Sequence, residues 1–313
     1  MNYSYTASQG WTSYGYDGVG NRQSSYRYQT GQQTNWDYSN ANRAQCSYSG
    51  SWQSICPGGA TSYGFDQNGN LTSRGADTMA WDGENRLTSA TIGGTAWGMA
   101  YNGDGLRISR TTGGSTTSFL CDVASSLPTI VDDGSSQYLY GRGPGPLEQI
   151  TPSGVYFFLP DKLGSTLAVT DSSGNVVQSY SYDAWGTVTA SSGTHSVEYQ
   201  FAGQQTDASG LSYMRARYYD PSSGRFLGRD PLPGSLENPL SQQQYSYAGN
   251  NPGNYSPNEC RASPRRRVRC WAAMDQGQPA AGRTGPRPAC GPCRPRCARP
   301  PTPSLPPLRG SPR

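Results

Sequence analysis

The chain has 313 residues, room for one large or two ordinary domains, yet Ile, Leu, Val and Phe together number 38, below the fifth at which a conventional core becomes doubtful. Charged residues are only 15% and the net charge is +4, so the high-charge composition of a disordered chain is excluded too. No run of eighteen apolar residues occurs, which excludes a spanning helix, and Met1 to Thr6 has neither a basic nor an apolar region, so no classical signal peptide is expected.

From the N-terminus onward, aromatic residues recur two apart: Tyr3/Tyr5, Tyr14/Tyr16, Tyr26/Tyr28, Trp36/Tyr38, Tyr63/Phe65, Tyr138/Tyr140, Tyr156/Phe158, Tyr180/Tyr182, Tyr199/Phe201 and Tyr245/Tyr247. Alternate residues share one face of a strand, so these pairs predict many short strands, each with an aromatic face. Between them lie the turn signals Asp17-Gly18, Asn68-Gly69, Asp82-Gly83, Asn102-Gly103, Asp133-Gly134 and Gly174-Asn175, residues that tolerate the positive φ of tight hairpins. The nearest approach to a helical pattern, Leu211 to Tyr218, lacks a convincing period and caps and is read as non-helical.

Four turns share one plan. Tyr16-Asp17-Gly18-Val19-Gly20-Asn21-Arg22, Phe65-Asp66-Gln67-Asn68-Gly69-Asn70-Leu71, Trp81-Asp82-Gly83-Glu84-Asn85-Arg86-Leu87 and Tyr101-Asn102-Gly103-Asp104-Gly105-Leu106-Arg107 run aromatic, Asp or Asn, turn residues, then the opening of the next strand. Tyr182-Asp183-Ala184-Trp185-Gly186 keeps the first half. The expected unit is a β-hairpin in which the aromatic packs inward and the Asp side chain caps the turn amides. One such hairpin is marginal alone, so the array must stack edge to edge.

After Pro257 the composition changes. The last 56 residues hold 12 Arg against Glu259 and Asp275, 12 of the 24 prolines and five of the eight cysteines, but no tyrosine. This Arg/Pro/Cys-rich tail is expected to stay extended or disordered. Cys290-x2-Cys293-x3-Cys297 lacks a fourth ligand held by turns, so no metal site is expected there. Its arginines would bind phosphate backbones as any polycation does, with no specific nucleic-acid partner implied. Arg, Pro, Ala, Gly, Cys and Ser are also what high-GC DNA encodes in a wrong frame, so the tail is read either as the product of a frameshift near Ser256 to Glu259 or as a genuine variable end.

The aromatic-Asp repeat resembles the YD repeat of bacterial Rhs (rearrangement hot spot) proteins, also found in the C components of insecticidal toxin complexes and in teneurins. Residues 156–257 resemble the Rhs repeat-associated core. The motifs are Tyr156 to Thr166, with Pro160 where a His is usual; Tyr182 to Gly186; Gly210-Leu211-Ser212-Tyr213-Met214-Arg215-Ala216-Arg217-Tyr218-Tyr219-Asp220-Pro221; Gly224-Arg225-Phe226-Leu227-Gly228-Arg229-Asp230-Pro231; and Tyr245-Ser246-Tyr247-Ala248-Gly249-Asn250-Asn251-Pro252. The resemblance covers roughly residues 10–257 and none of the tail.

It implies an all-β protein: YD-repeat hairpins over 1–155 forming part of a spiralling β-sheet shell, a core plug over 156–257, and a disordered tail over 258–313. In complete members the shell encloses a C-terminal toxin, released by self-cleavage just past the core and ascribed to paired aspartates. Here Arg229-Asp230-Pro231 matches the first such element, with Arg229 expected to hold Asp230 through a charge-assisted hydrogen bond. The closing Asn-x-x-Asp-Pro-x-Gly is absent, and no Asp occurs from Pro231 to Met274, so the dyad is incomplete unless Glu237 or Glu259 substitutes, and Asp230 and Arg229 read as vestigial, an ion pair buttressing a turn.

The expected function is therefore a structural, truncated shell fragment without its own catalysis, in which a toxin domain or a larger Rhs protein is the implied partner. A self-cleaving aspartyl core and a cell-surface module binding glycans through exposed aromatics are the alternatives. The resemblance implies a bacterial, secreted or cell-surface setting, with no cofactor. His195, the only histidine, has no Gly-x-Ser-x-Gly elbow to serve, and Asp161 precedes Lys162, the only lysine, so no phosphate-binding Gly-Lys loop forms. Cys46 and Cys56 can bridge in an oxidising compartment; Cys121, left alone, argues against that pairing.

Overall fold

The computed structural model describes residues 3–6, 10–124, 128–141, 143–232, 234 and 242–254; the tail over 258–313, Glu237 and Glu259 lie outside the described residues. Turn chemistry comes first, because one pattern recurs. In three of the four YD turns the side chain of residue i accepts from the amides of i+2 and i+4: Asp17 from Val19 and Asn21 at 3.1 and 2.7 Å, Asp82 from Glu84 and Arg86, each at 2.9 Å, and Asn102 from Asp104 and Leu106 at 3.0 and 2.9 Å; Asp66 takes the i+4 amide, Asn70, at 2.8 Å. The backbone closes the same loop, residue i donating to the carbonyl of i+4 and i+3 donating to that of i, as in Asp66–Asn70 and Gly69–Asp66. Asp161, Asp171 and Asp183 repeat the scheme with full caps, as expected of side chains that mimic a backbone turn.

Strung together, these hairpins make two meanders. The first sheet is β1 (Tyr3–Thr6), β2 (Gly10–Tyr16), β3 (Arg22–Arg27), β4 (Gln32–Tyr38), β5 (Ala44–Ser49), β6 (Thr61–Phe65), β7 (Leu71–Arg74), β8 (Asp77–Trp81), β9 (Leu87–Ile92), β10 (Thr95–Tyr101), β11 (Arg107–Thr112) and β12 (Ser115–Ser118), each antiparallel to the next. The second is β13 (Leu120–Asp122), β14 (Thr129–Asp132), β15 (Gln137–Tyr140), β16 (Pro146–Thr151), β17 (Gly154–Pro160), β18 (Thr166–Thr170), β19 (Val176–Tyr182) and β20 (Val188–Gly193). The division placed at residue 155 falls within β17. A small third sheet holds β21 (Gln205–Thr206), β22 (Ser212–Met214), β23 (Arg217–Asp220) and β24 (Arg225–Phe226). Among the described residues there is no α-helix, and Leu211 to Tyr218 is a hairpin rather than a helical turn.

The second register rule is a bulge. Where an aromatic enters a turn, the strand leaving that turn carries one extra residue: Trp81 pairs with Leu87 but Ala80 with Ser89, and Tyr101 with Arg107 but Ala100 with Ser109. A bulge leaves a carbonyl out of the ladder. Five such carbonyls are taken up by the aromatic that enters the following turn: Tyr38 to Arg22 (2.9 Å), Trp81 to Leu71 (2.7 Å), Tyr101 to Leu87 (2.8 Å), Tyr140 to Ile130 (2.8 Å) and Tyr182 to Thr166 (2.9 Å). The Cys121 thiol stands in the same place beside the Arg107 carbonyl, at 3.9 Å.

The small sheet and the segments around it supply the core. Leu211, Tyr213, Tyr218 and Leu227 pack with Leu71, Met79, Leu87, Trp97 and Met99 of the first meander. Phe201, Met214, Tyr219, Phe226 and Tyr247 pack with Tyr14 and with Trp185 of the β19–β20 turn. Val197 and Tyr199 pack with Tyr138, Phe158 and Val169. At Gly224, with φ +68°, a Cβ would sit 2.7 Å from the Trp185 ring, so only glycine closes this hairpin against the tryptophan. Not every aromatic of the first strands is buried: Tyr3, Tyr5, Trp11 and Tyr28 face solvent.

Candidate functional site

The chemistry of this chain concentrates where the plug meets the hairpin strip. Asp230 is 8% exposed. One carboxylate oxygen accepts from the Leu232 amide at 2.9 Å and the other from the Arg217 guanidinium at 2.9 Å. The expected Arg229–Asp230 pair is not formed: Arg229 donates instead to the Gln244 side chain. Arg229 is exposed and Asp230 buried, so the two side chains part, while β23 brings Arg217 across to the carboxylate. Arg217 lies 3.7 Å from the Phe226 ring centroid and also donates to the Gln244 carbonyl at 3.2 Å. Burial pulls its pKa below the ordinary arginine value despite Asp230.

A second acid, Asp220, opens the β23–β24 turn, takes the Ser222 amide and hydroxyl, and meets Arg74 of β7 at 2.8 Å. The third, Asp207, stands at a turn whose backbone follows the YD scheme, donating to Leu211 and accepting from Gly210. Its carboxylate turns away from that duty and takes two arginines of β11, Arg107 at 2.6 Å and Arg110 at 2.7 Å. Arg107 is fully buried. It also donates to Gln205 (2.6 Å) and the Tyr218 hydroxyl (2.7 Å), and its guanidinium lies over the Tyr213 and Phe119 rings. Burial alone would weaken that charge; Asp207 and the surrounding hydroxyls override it and hold the Arg107 pKa well above its ordinary value. Arg110 reaches Glu198 as well, at 2.6 Å, and Glu198 is bonded to Gln205, closing the network.

Arginine performs the same task elsewhere on the seam. Arg22 lies between the Trp36 and Trp185 rings, 4.7 and 4.6 Å from their centroids, and donates to the carbonyls of Ser222 and Ser223. Arg225 donates to the Asn21 side chain and the Asn42 carbonyl. Tyr245 donates to the Gly69 carbonyl and Asn250 to that of Gly20, at 2.8 and 2.6 Å. The plug thus grips the turns of the strip through their carbonyls.

Sequence reasoning selected Asp230 and missed Arg107, Arg217 and Asp207. A readable signal existed for Arg107: it stands five residues after its turn Asn, the position held by Leu71 and Leu87 after Asp66 and Asp82. A charge where sister repeats bury leucine must be met by a partner. His195 stacks on Tyr156 at 3.8 Å, and its Nε2 is 2.9 Å from Gln149 Oε1. Among the described residues, no group of three or more His, Cys, Asp or Glu side chains is placed to hold a metal ion.

Meandering YD hairpins whose turns are gripped by a tyrosine- and arginine-rich plug define a β-shell wall with its core, the architecture implied by the Rhs resemblance. The family model for the teneurin YD-shell matches residues 1–253, and the chain belongs to that family. The chain is 38% identical over 203 residues to the tRNA3(Ser)-specific nuclease WapA of Bacillus spizizenii, a match covering 61% of this chain and 9% of that protein. It is 39% identical over 84 residues to the double-stranded DNA deaminase toxin A of Burkholderia cenocepacia, covering 25% and 6%. This chain spans about a tenth or less of the length of those relatives. In the crystal structure of TcdB2-TccC3-TEV, 18% of the chain overlays 82% of this one at 17% identity, with a TM-score of 0.46.

Proposed function

We propose that this chain is a structural module, a strip of YD-shell wall carrying its own plug, which holds or displays the segment that follows residue 257 and does not act chemically on it. The observation behind the reading is the state of the buried acids of the plug. Asp207, Asp220 and Asp230 are each engaged by arginine, whereas aspartyl cleavage needs two carboxyls that share a proton and divide the acid and base roles. The relatives support it from another direction. A stretch that recurs both in a protein named as a tRNA nuclease and in one named as a DNA deaminase toxin is a scaffold common to them, with a toxin domain as its natural cargo.

Intact-mass measurement of the purified full chain is the test. A single species at 33.6 kDa, unchanged by Asp230→Ala, is the expected result. Two polypeptides with a new N-terminus near residue 257, lost in Asp230→Ala, would establish the self-cleaving core instead. Glycan binding has one observation in its favour: Tyr5, Trp11 and Tyr28 are exposed rings on or next to neighbouring, paired strands. Glycan-array binding abolished by Trp11→Ala would support it.

A further inference from the structure

The first sheet has a seam. β4 and β5 pair over five residues, from Thr34↔Ser49 to Tyr38↔Ala44, and β8 and β9 over four, but β5 and β6 over two, Cys46↔Ser62 and Ser47↔Thr61, as few as β7 and β8 have across their tight turn. The connection is a long loop, residues 50–60, in place of a tight YD turn. Cys46 is bonded to Cys56 in that loop, so the crosslink ends on one of the two residues that make the seam. The sulfurs differ in access: Cys46 is 2% exposed and Cys56 lies at the surface. Side-chain ties across the seam are few, with Ser47 Oγ 3.2 Å from the Tyr63 hydroxyl and Arg43 3.5 Å from the Asp66 carbonyl. The plug straddles it, Arg225 holding Asn42 on one side and Tyr245 holding Gly69 on the other.

We propose that the Cys46–Cys56 disulfide is a redox-operated latch on this seam, a site for dithiol reductants. A reductant thiolate attacks the exposed Cys56 sulfur, the disulfide breaks, and the Cys46 sulfur leaves and takes up a proton. The second thiol of the reductant then attacks the reductant's own sulfur in the mixed disulfide, closing its disulfide and releasing Cys56 as a thiol. Two electrons and two protons pass to the chain. Expelling Cys46 as a buried thiolate is slow, so the mixed disulfide must be resolved quickly, which a dithiol does and a monothiol does not. Once open, residues 50–60 lose their crosslink to β5, and β1–β5 remains joined to β6 by two ladder pairs, the Ser47–Tyr63 and Arg43–Asp66 contacts and the plug. Resting on the structural reading above, this makes the wall closed in an oxidising compartment and loosened at one line in a reducing one.

Hydrogen exchange of the full chain, read by mass spectrometry with and without dithiothreitol, tests it. Peptides covering 44–65 should exchange roughly tenfold faster after reduction while those covering 77–112 stay within about twofold. Cys56→Ser, a change at an exposed position, should show the fast rate under both conditions, and any response to dithiothreitol left in it belongs to other cysteines. Equal exchange in 44–65 before and after reduction overturns the latch, as does a rise shared by the whole body. The outcome is independent of cleavage: a chain that cuts itself near residue 257 refutes the structural reading and leaves the seam measurement intact.

Discussion

Replacing Arg107 by leucine separates two explanations of why that residue is buried. Leucine is what the strip itself uses at the equivalent register positions, Leu71 and Leu87, both buried, so strand propensity and side-chain volume are nearly neutral. What is lost is charge and its ligands: the ion pair to Asp207 and the hydrogen bonds to Gln205 and the Tyr218 hydroxyl. Removing one partner of a buried ion pair costs about 3–5 kcal/mol. Arg110 stays on Asp207 at 2.7 Å, which places the loss near the lower end, about 3 kcal/mol. At about 2–4 °C per kcal/mol for a body of this size, the melting temperature should fall by about 6–12 °C. Arg86→Leu is the control, because Arg86 is partly exposed, its ion pairs to Asp82 and Glu84 reach solvent, and its loss should cost about 1 kcal/mol. Asp207→Asn added to Arg107→Leu removes a carboxylate that has already lost one of its two arginines, so the double variant should be about 1–2 kcal/mol less unstable than the sum of the two singles. Equal losses for Arg107→Leu and Arg86→Leu, or a double variant as unstable as the sum of its singles, would refute the claim that this network fixes the plug to the wall.

Tyr101→Phe keeps the ring and removes the donor to the Leu87 carbonyl, so thermal unfolding should show a loss of about 1–2 kcal/mol, with Tyr182→Phe similar and the exposed Tyr3→Phe near zero. Two turn aspartates should respond oppositely to pH. Burial raises the Asp183 pKa against the Thr187 and Trp185 amide bonds, so its contribution is present below the unfolded value of about 4 and is lost as pH rises through the folded value. Asp183→Asn, which copies the Asn102 turn, should then be neutral or stabilising at pH 7. Burial also acts to raise Asp133, but donation from Ser135 and Tyr138 prevails and lowers it; its contribution is present at neutral pH and lost as pH falls below about 4, so Asp133→Asn should cost about 1 kcal/mol at pH 7 and little at pH 3.

Much of the wall was legible because its rules are local. An aromatic followed by Asp or Asn, then turn residues that include Gly or Asn, determines strand end, cap and turn locally, and the hairpins stand where that plan repeats. Tyr199/Phe201 and Tyr245/Tyr247 broke the rule: the first pair occupies a bridge and a 3-10 turn and the second flanks a lone bridge, because their rings fill the plug and no ladder needs them there. The site was legible only by halves. Asp230 stands in a motif, but its partner Arg217 is thirteen residues away across a hairpin, and Arg107 meets Asp207 over a separation of a hundred. Nothing in a sequence read locally ranks Arg217 above the adjacent Arg229; only the burial of Asp230 away from the exposed Arg229 does. The Cys46–Cys56 bond was one of two open readings, and the structure pairs them while Cys121 takes a tyrosine's place beside a bulge carbonyl.

The shortage of aliphatic residues and the bulge at each turn are one phenomenon. A bulge is needed where the strand leaves a YD turn, because the Asp-capped loop returns the chain one residue out of step with its partner. The bulge frees a carbonyl on the half-buried face, and a buried unpaired carbonyl costs about 1–3 kcal/mol. Leucine or phenylalanine at the facing position would pack there and leave that cost standing. Tyrosine covers the same apolar area and carries a donor to the site, as Tyr38, Tyr101, Tyr140 and Tyr182 do, and Trp81 manages with its indole N–H. Phe65 enters its turn with no donor, and Tyr245 from the plug, 6.0 Å away, bonds a carbonyl inside that turn, that of Gly69. A wall built of such turns therefore selects tyrosine over aliphatic residues.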